Sequence, residues 1–300
     1  MFFEMPTGLR AAVAGVASLL LCANPAAAEL SDVDGAAARI DMSGKLRMLS
    51  QKVVAEACYV RAGIVTDRAW PSLVLATDEF TEILEALVFG NEKYGLMQEE
   101  ERPKTQLALG LLAEGWMGVE QEARMVASGA TDAQSIVFMA EQSGPLLGLA
   151  QDAVSEISGQ YAASSTLLQS DAMIIDIAGR QRMLAQQISK NACLLGTGLG
   201  DMAAVDALNQ SMQIYEASLF ALINGMPSAG IAQPPTQDIS DSLNAVATRW
   251  NALQPTLAAV AADADQDRTV LATIAVETAA LTTEMNDIVA MYTADSNRRR

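Results

Sequence analysis

From Leu30 onward, apolar positions recur at steps of three and four, as at Phe80, Ile83, Leu84, Leu87 and Val88. That is the period of a helix burying one face. Alternating β-branched runs with Asn-Gly turns, the mark of strands, do not occur. Proline gathers at joints, at Pro71, Pro103, Pro145, Pro227 and Pro234-Pro235. Pro255 instead falls inside a helical pattern and is expected to kink or end it. The pattern predicts helices over roughly 31–66, 72–98, 104–127 and 132–162, then 163–197, 201–225, 236–262 and 266–294. Four amphipathic helices joined by short loops make an up-down bundle. The expected class is therefore all-α, two tandem antiparallel four-helix bundles. No proline separates 146 from 226, so the fourth helix can continue into the fifth as one rod. Gly159 is its weakest point, since glycine costs about 1 kcal/mol in a helix interior.

Self-comparison explains why the pattern comes in two sets of four. The run Ile40-Asp41-Met42-Ser43-Gly44-Lys45-Leu46-Arg47-Met48-Leu49-Ser50-Gln51 returns, 135 residues on, as Ile175-Asp176-Ile177-Ala178-Gly179-Arg180-Gln181-Arg182-Met183-Leu184-Ala185-Gln186. The same offset joins Cys58 to Cys193, Phe80 to Tyr215, Leu84 to Leu219, Leu87 to Leu222 and Gly90 to Gly225. Trp116 matches Trp250 at 134 and Tyr161 matches Tyr292 at 131. Several matches in one order at nearly one offset identify an internal duplication. The modules are read as 29–162 and 163–300.

The first residues differ in kind. An apolar run from Leu9 to Leu21, with Arg10 at its start, precedes Ala26-Ala27-Ala28 and then Glu29. This is the layout of a secretory signal peptide over 1–28, cleaved near Ala28. The run is shorter than the roughly 20 residues that span a bilayer. The expected location is periplasmic or secreted, the other reading being a retained N-terminal membrane anchor. Leu19-Leu20-Leu21 before Cys22 argues against lipid attachment there. Cys58 and Cys193 remain in the mature chain, and an even count in an oxidising compartment permits one disulfide. Two separate buried thiols are the other reading.

Composition narrows the chemistry. The 300 residues are half apolar, with 36 acidic and 19 basic side chains, no histidine and a formal charge of −17. The absent histidine excludes a Ser-His-Asp triad, His-ligated zinc and a histidine phosphoacceptor. The charge opposes nucleic acid and anionic membrane surfaces as partners. Dinucleotide and P-loop fingerprints are missing, and no cofactor or metal is expected. The scattered methionines read as core filler, Trp116 and Trp250 as core anchors, and Glu99-Glu100-Glu101 as a solvated run. The balance favours a non-enzymatic binding or interaction module.

The repeated segment is unlike a plain core helix. At 100° per residue, Gly44, Arg47, Gln51 and Cys58 fall on one stripe with Ile40, as do Gly179, Arg182, Gln186 and Cys193 with Ile175. Each stripe holds a glycine permitting close helix approach, then polar donors. Arginine offers a fixed fork suited to oxoanions. Two stripes facing each other would bring two guanidiniums together, which is unfavourable unless an anion or carboxylate neutralises them. Pairing of Arg47 or Arg182 with Asp176, Asp41 or another acid is therefore an alternative to ligand binding.

The pattern Ile-Asp-x-x-Gly-x-x-Arg-Met-Leu-Ser/Ala-Gln resembles the signature of the PilJ/NarX-type sensor domain, the module of nitrate/nitrite sensor kinases and of type IV pilus chemotaxis transducers. The resemblance implies a four-helix bundle with the motif on its first helix, and an anion held between two such helices by the motif arginines. Carried over, Arg47 and Arg182 would bind a small oxoanion, nitrate or nitrite, assisted by Gly44, Gly179, Gln51 and Gln186. Asp41 and Asp176 stand where that family usually has asparagine. The leading expectation is a stand-alone periplasmic oxoanion-binding protein. The alternative is an envelope scaffold linked to type IV pili or surface signalling, with no small-molecule ligand.

Overall fold

The computed structural model describes residues 25–130, 132–161 and 169–299. The leader read at 1–28, apart from its last four residues, and the junction that decides whether the fourth and fifth helices are continuous lie outside these residues.

The described residues form eight α-helices: α1 (Pro25–Ala62), α2 (Thr66–Phe89), α3 (Pro103–Ala127), α4 (Ala133–Tyr161), α5 (Gln169–Gly196), α6 (Met202–Asn224), α7 (Gln237–Ala262) and α8 (Arg268–Arg298). In the first bundle α1 and α3 each pack against α2 and α4; in the second, α5 and α7 pack against α6 and α8. The two bundles meet where α1 lies along α5. Asp41 contacts Arg182, Gln51 contacts Lys190 and Cys58 contacts Cys193, so both helices run in the same direction. The all-α duplicated bundle is the predicted architecture.

Local chemistry sets most helix ends. Asp201, Thr236 and Asp267 accept hydrogen bonds from Ala204 N, Ile239 N and Thr269 N, capping α6, α7 and α8. The helix expected over 72–98 stops earlier, at Phe89. Gly90 follows with φ 80°, and a Cβ there would lie 3.0 Å from Gln98 backbone atoms, so the chain turns where only glycine fits. A single 3-10 turn and an Asn91–Leu96 bridge close the loop, and Gly225 and the Met226–Ile231 bridge repeat it in the second bundle.

Proline marks fewer joints than expected. Pro71 and Pro145 lie inside α2 and α4, and Pro255 inside an α7 that continues to Ala262. Each helix is held by burial of its apolar face along its length, and one missing N–H does not end it.

Each core is anchored by an aromatic pair. Phe80 stacks on Trp116 with centroids 4.0 Å apart, and Tyr215 lies 4.4 Å from Trp250. Both tryptophans are buried, in agreement with their reading as anchors. The match of Tyr161 with Tyr292 is displaced by one helical turn, although both line corresponding pockets, Tyr161 beside Arg39 and Gln98 and Tyr292 beside Ile174 and Gln233. Gln151 and Asn286, 135 apart, occupy equivalent places beside the motif arginines, so Tyr292 is the counterpart of Ile157.

Candidate functional site

The α1–α5 seam is polar along much of its length although it lies at the centre of the molecule. Ser43, Arg47, Ser50, Gln51, Arg182, Gln186, Ser189 and Lys190 are all buried. A buried polar group is tolerated where it is bonded, so each partner carries meaning.

At one end, Cys58 and Cys193 form a disulfide with Cα atoms 6.2 Å apart. Of the two readings open for these cysteines, the bonded one holds. Beside it, Tyr59 Oη donates to the Ser189 carbonyl at 3.2 Å.

In the middle, Lys190 reaches from the second bundle into the first. Its ammonium donates to Gln51 Oε1 at 2.8 Å and Ser143 Oγ at 2.7 Å, while Gln51 Nε2 donates to the Ser143 carbonyl. Burial alone brings its pKa down to about 8. The counterpart of Lys190 in α1 is Ala55, so this link is one-sided. The second motif glutamine, Gln186, instead donates to Thr282 of α8 at 2.7 Å.

Toward the N-terminal ends, the motif arginines cross over. Arg47 Nη2 donates to Asp176 Oδ1 at 2.6 Å, and Arg47 Nη1 to Gln151 Oε1 at 3.0 Å. Arg182 Nη1 donates to Asn286 Oδ1 at 2.8 Å, whereas its contact with Asp41 is long, at 3.5 Å. Both arginines are about 98% and 97% removed from solvent (2% and 3% exposed), yet Asp41 is 44% exposed. Asp176 is held from both sides, since Arg180 Nε also donates to it at 2.9 Å. Burial lowers the Arg47 pKa; Asp176 opposes this, and the charges of Arg180 and Arg182 add to it. The two motif guanidiniums thus feel each other across the seam, and each is matched by a carboxylate of the opposite helix.

The motif glycines act differently from expectation. A Cβ on Gly44 would meet Arg47 Nη2 at 3.4 Å, and one on Gly179 would meet Arg182 Nη2 at 3.3 Å, with no atom of a neighbouring helix within 4 Å of either. They clear space for their own helix's guanidinium, one turn on, and the two helices do not approach through them.

One arginine has room beside it. Asp41, Arg182, Asn286, Val289, Ala290, Thr293 and Ala294 line an open cavity of about 340 Å³. The structure thus places Arg47 and Arg182 at the seam, ties Gln51 to α4 and Gln186 to α8, and joins the cysteines. Sequence reasoning missed Gln151, Asn286, Ser143 and Lys190. For the first two, the 135-residue offset was a usable signal.

No group of three or more His, Cys, Asp or Glu able to hold a metal occurs among the described residues, and none of the described helices is long and apolar enough to cross a membrane. The family model described as "Type IV pili methyl-accepting chemotaxis transducer N-term", PilJ, matches residues 29–137 and 164–275, once on each bundle. No curated protein matches the chain.

Proposed function

The chain belongs to the PilJ family twice over, and from that premise we propose that it is a periplasmic, non-enzymatic sensory protein that binds a small oxoanion at Arg182. The carrying observation is the Arg182 pocket. A buried guanidinium borders an open cavity of about 340 Å³, and its carboxylate contact is long and half in water. An incoming oxoanion takes the place of Asp41 on Nη2 and swings that carboxylate out to solvent, while Asn286 keeps Nη1 oriented. Nitrate and nitrite are the planar, single-charged ligands that suit such a fork. The disulfide supports an oxidising compartment, and the leader pattern at 1–28 points the same way.

The test is thermal stability of the mature protein in sodium nitrate or nitrite against sodium chloride at equal ionic strength. At 100 times its dissociation constant a ligand adds about 2.7 kcal/mol. Arg182→Ala abolishes the gain, as does Arg47→Ala plus Arg182→Ala, and Asp41→Asn increases it by removing the competing carboxylate. No nitrate-specific gain in the wild type, or the same gain in Arg182→Ala, ends the proposal.

A second reading draws support from Arg47. With Asp176 at 2.6 Å on Nη2 and Gln151 at 3.0 Å on Nη1, both terminal nitrogens are engaged and only Nε lacks a partner among the described residues, which suits a seam that fastens two bundles in an envelope scaffold. On that reading the motif arginines are dispensable for partner binding.

A further inference from the structure

The duplication supplies an internal reference for the outer face of each bundle, and at one place the two copies part. In the first bundle α3 and α4 close through two glycines. A Cβ on Gly115 would lie 2.6 Å from Leu149 Cδ1, and one on Gly118 would lie 3.2 Å from the Phe138 ring. The offset of the tryptophans puts Arg249 and Ala252 of α7 at the places of Gly115 and Gly118. The offset of Gln151 and Asn286 puts Thr273 and Glu284 of α8 at the places of Phe138 and Leu149. The second bundle thus has a threonine where the first has a phenyl ring, and an ion pair where the first has a leucine on a glycine.

An open groove of about 430 Å³ lies at this place, lined by Ala245, Ala252 and Leu253 together with Arg249, Thr273 and Glu277. The charges there do not balance. Arg249 Nη1 contacts Glu277 Oε2 at 2.6 Å and Arg249 Nη2 contacts Glu284 Oε1 at 2.7 Å, one cation against two carboxylates.

A second observation is independent of the groove's shape. Glu284 Oε2, Tyr215 Oη and Trp250 Nε1 are buried with no hydrogen-bond partner among the described residues. In the first bundle Trp116 Nε1 donates to Thr81 Oγ1 at 2.9 Å, and Phe80 and Leu149 stand where Tyr215 and Glu284 are. The second bundle therefore carries two polar groups that the first lacks at the same places, Tyr215 Oη in the core and the Glu284 carboxylate on a side chain still 31% exposed.

We propose that the α7/α8 groove of the second bundle binds a small aromatic cation, its ring in the place that Phe138 fills in the first bundle and its protonated amine against Glu277, the carboxylate that lines the groove. The ring covers Ala252 and Leu253 and the ammonium neutralises the surplus carboxylate, an arrangement in which an apolar body and one charge-assisted contact fix the ligand. The site is distinct from the Arg182 pocket, requires the opposite ligand charge and stands or falls separately from it.

Phenethylammonium is the probe, with the full mature chain, followed by saturation-transfer NMR and thermal shift. Butylammonium reports charge attraction alone, and 3-phenylpropionate reports the ring with the wrong charge. The expected result is saturable binding of phenethylammonium, with both controls weaker by roughly tenfold or more. Thr273→Phe combined with Ala252→Gly rebuilds the first bundle's ring and its glycine seat, and should abolish binding while the protein keeps its helical spectrum. Glu277→Gln, at a half-exposed position, should weaken binding by roughly tenfold and decides the matter if the double variant does not fold. Equal binding of butylammonium or 3-phenylpropionate, no binding of phenethylammonium, or undiminished binding in Glu277→Gln overturns the proposal.

Discussion

Replacing Lys190 by methionine isolates the electrostatics of the seam. Lys190 is 6% exposed, and its ammonium faces Gln51 and Ser143 and has no charged group acting on its pKa, which burial alone lowers from 10.5 to about 8. The folded-state value lies below the unfolded one. Below pH 8 both states carry the proton and the folded protein bears the whole cost of burying it. Between pH 8 and 10.5 the unfolded chain holds a proton that the folded chain has released, so stability rises with pH by up to about 1.4 kcal/mol per unit. The full span amounts to about 3 kcal/mol. Methionine fills similar volume without charge, so the variant lacks this slope. At pH 7 part of its gain is offset because Gln51 Oε1 loses its donor, which costs about 1–3 kcal/mol. Ser143 Oγ keeps its bond to the Ala140 carbonyl. Urea unfolding of wild type and Lys190→Met at pH 7, 8, 9 and 10 measures the effect. The difference between the two, in which other titrations cancel, should move by about 2–3 kcal/mol in favour of the wild type from pH 7 to 10. A difference that stays constant across that range refutes an uncompensated buried ammonium at Lys190.

Two further outcomes follow from the same seam. Replacing Cys58 and Cys193 by serine opens a closed loop of 135 residues and should cost about 2–5 kcal/mol. Reductant should then lower the melting temperature of the wild type and leave the variant unchanged; identical melting of both proteins without reductant contradicts this. Asp176→Ala strips a buried guanidinium of its close carboxylate and should cost about 2–4 kcal/mol. Asp41→Ala, at a 3.5 Å contact half in solvent, should cost about 1 kcal/mol or less by the same urea assay, and equal losses would contradict the asymmetry of the two crossings.

Much of this molecule was readable along the chain because duplication repeats its packing contacts. The aromatic pairs Phe80–Trp116 and Tyr215–Trp250 sit in equivalent cores, and a core position accepts few residue types, so the correspondence stayed visible. At Tyr161 and Tyr292 it is displaced by one helical turn, the two rings lining corresponding pockets from positions four residues out of register. Prolines were weaker guides than the apolar stripe. Pro71, Pro145 and Pro255 all lie within helices whose buried faces run past them, whereas the stop at Phe89 depends on a positive φ at Gly90.

The candidate site divides along a similar line. Composition, period and repeat were enough to determine an all-α chain written twice, with an arginine, a glycine, a glutamine and a cysteine on one stripe of each first helix. These are properties of single helices, set by interactions a few residues apart. What the stripes do to each other depends on groups 129 to 141 residues apart, and only the packing of α1 along α5 decides it. That packing joined the cysteines and crossed each arginine onto the opposite aspartate, while packing inside each bundle brought Gln151 of α4 to Arg47 and Asn286 of α8 to Arg182. It also made the seam unequal. Arg47 is closed off by Asp176 and Arg182 borders open space, although the two motifs are nearly the same in sequence, because burial and partner geometry, and not residue type, set what a guanidinium can still bind.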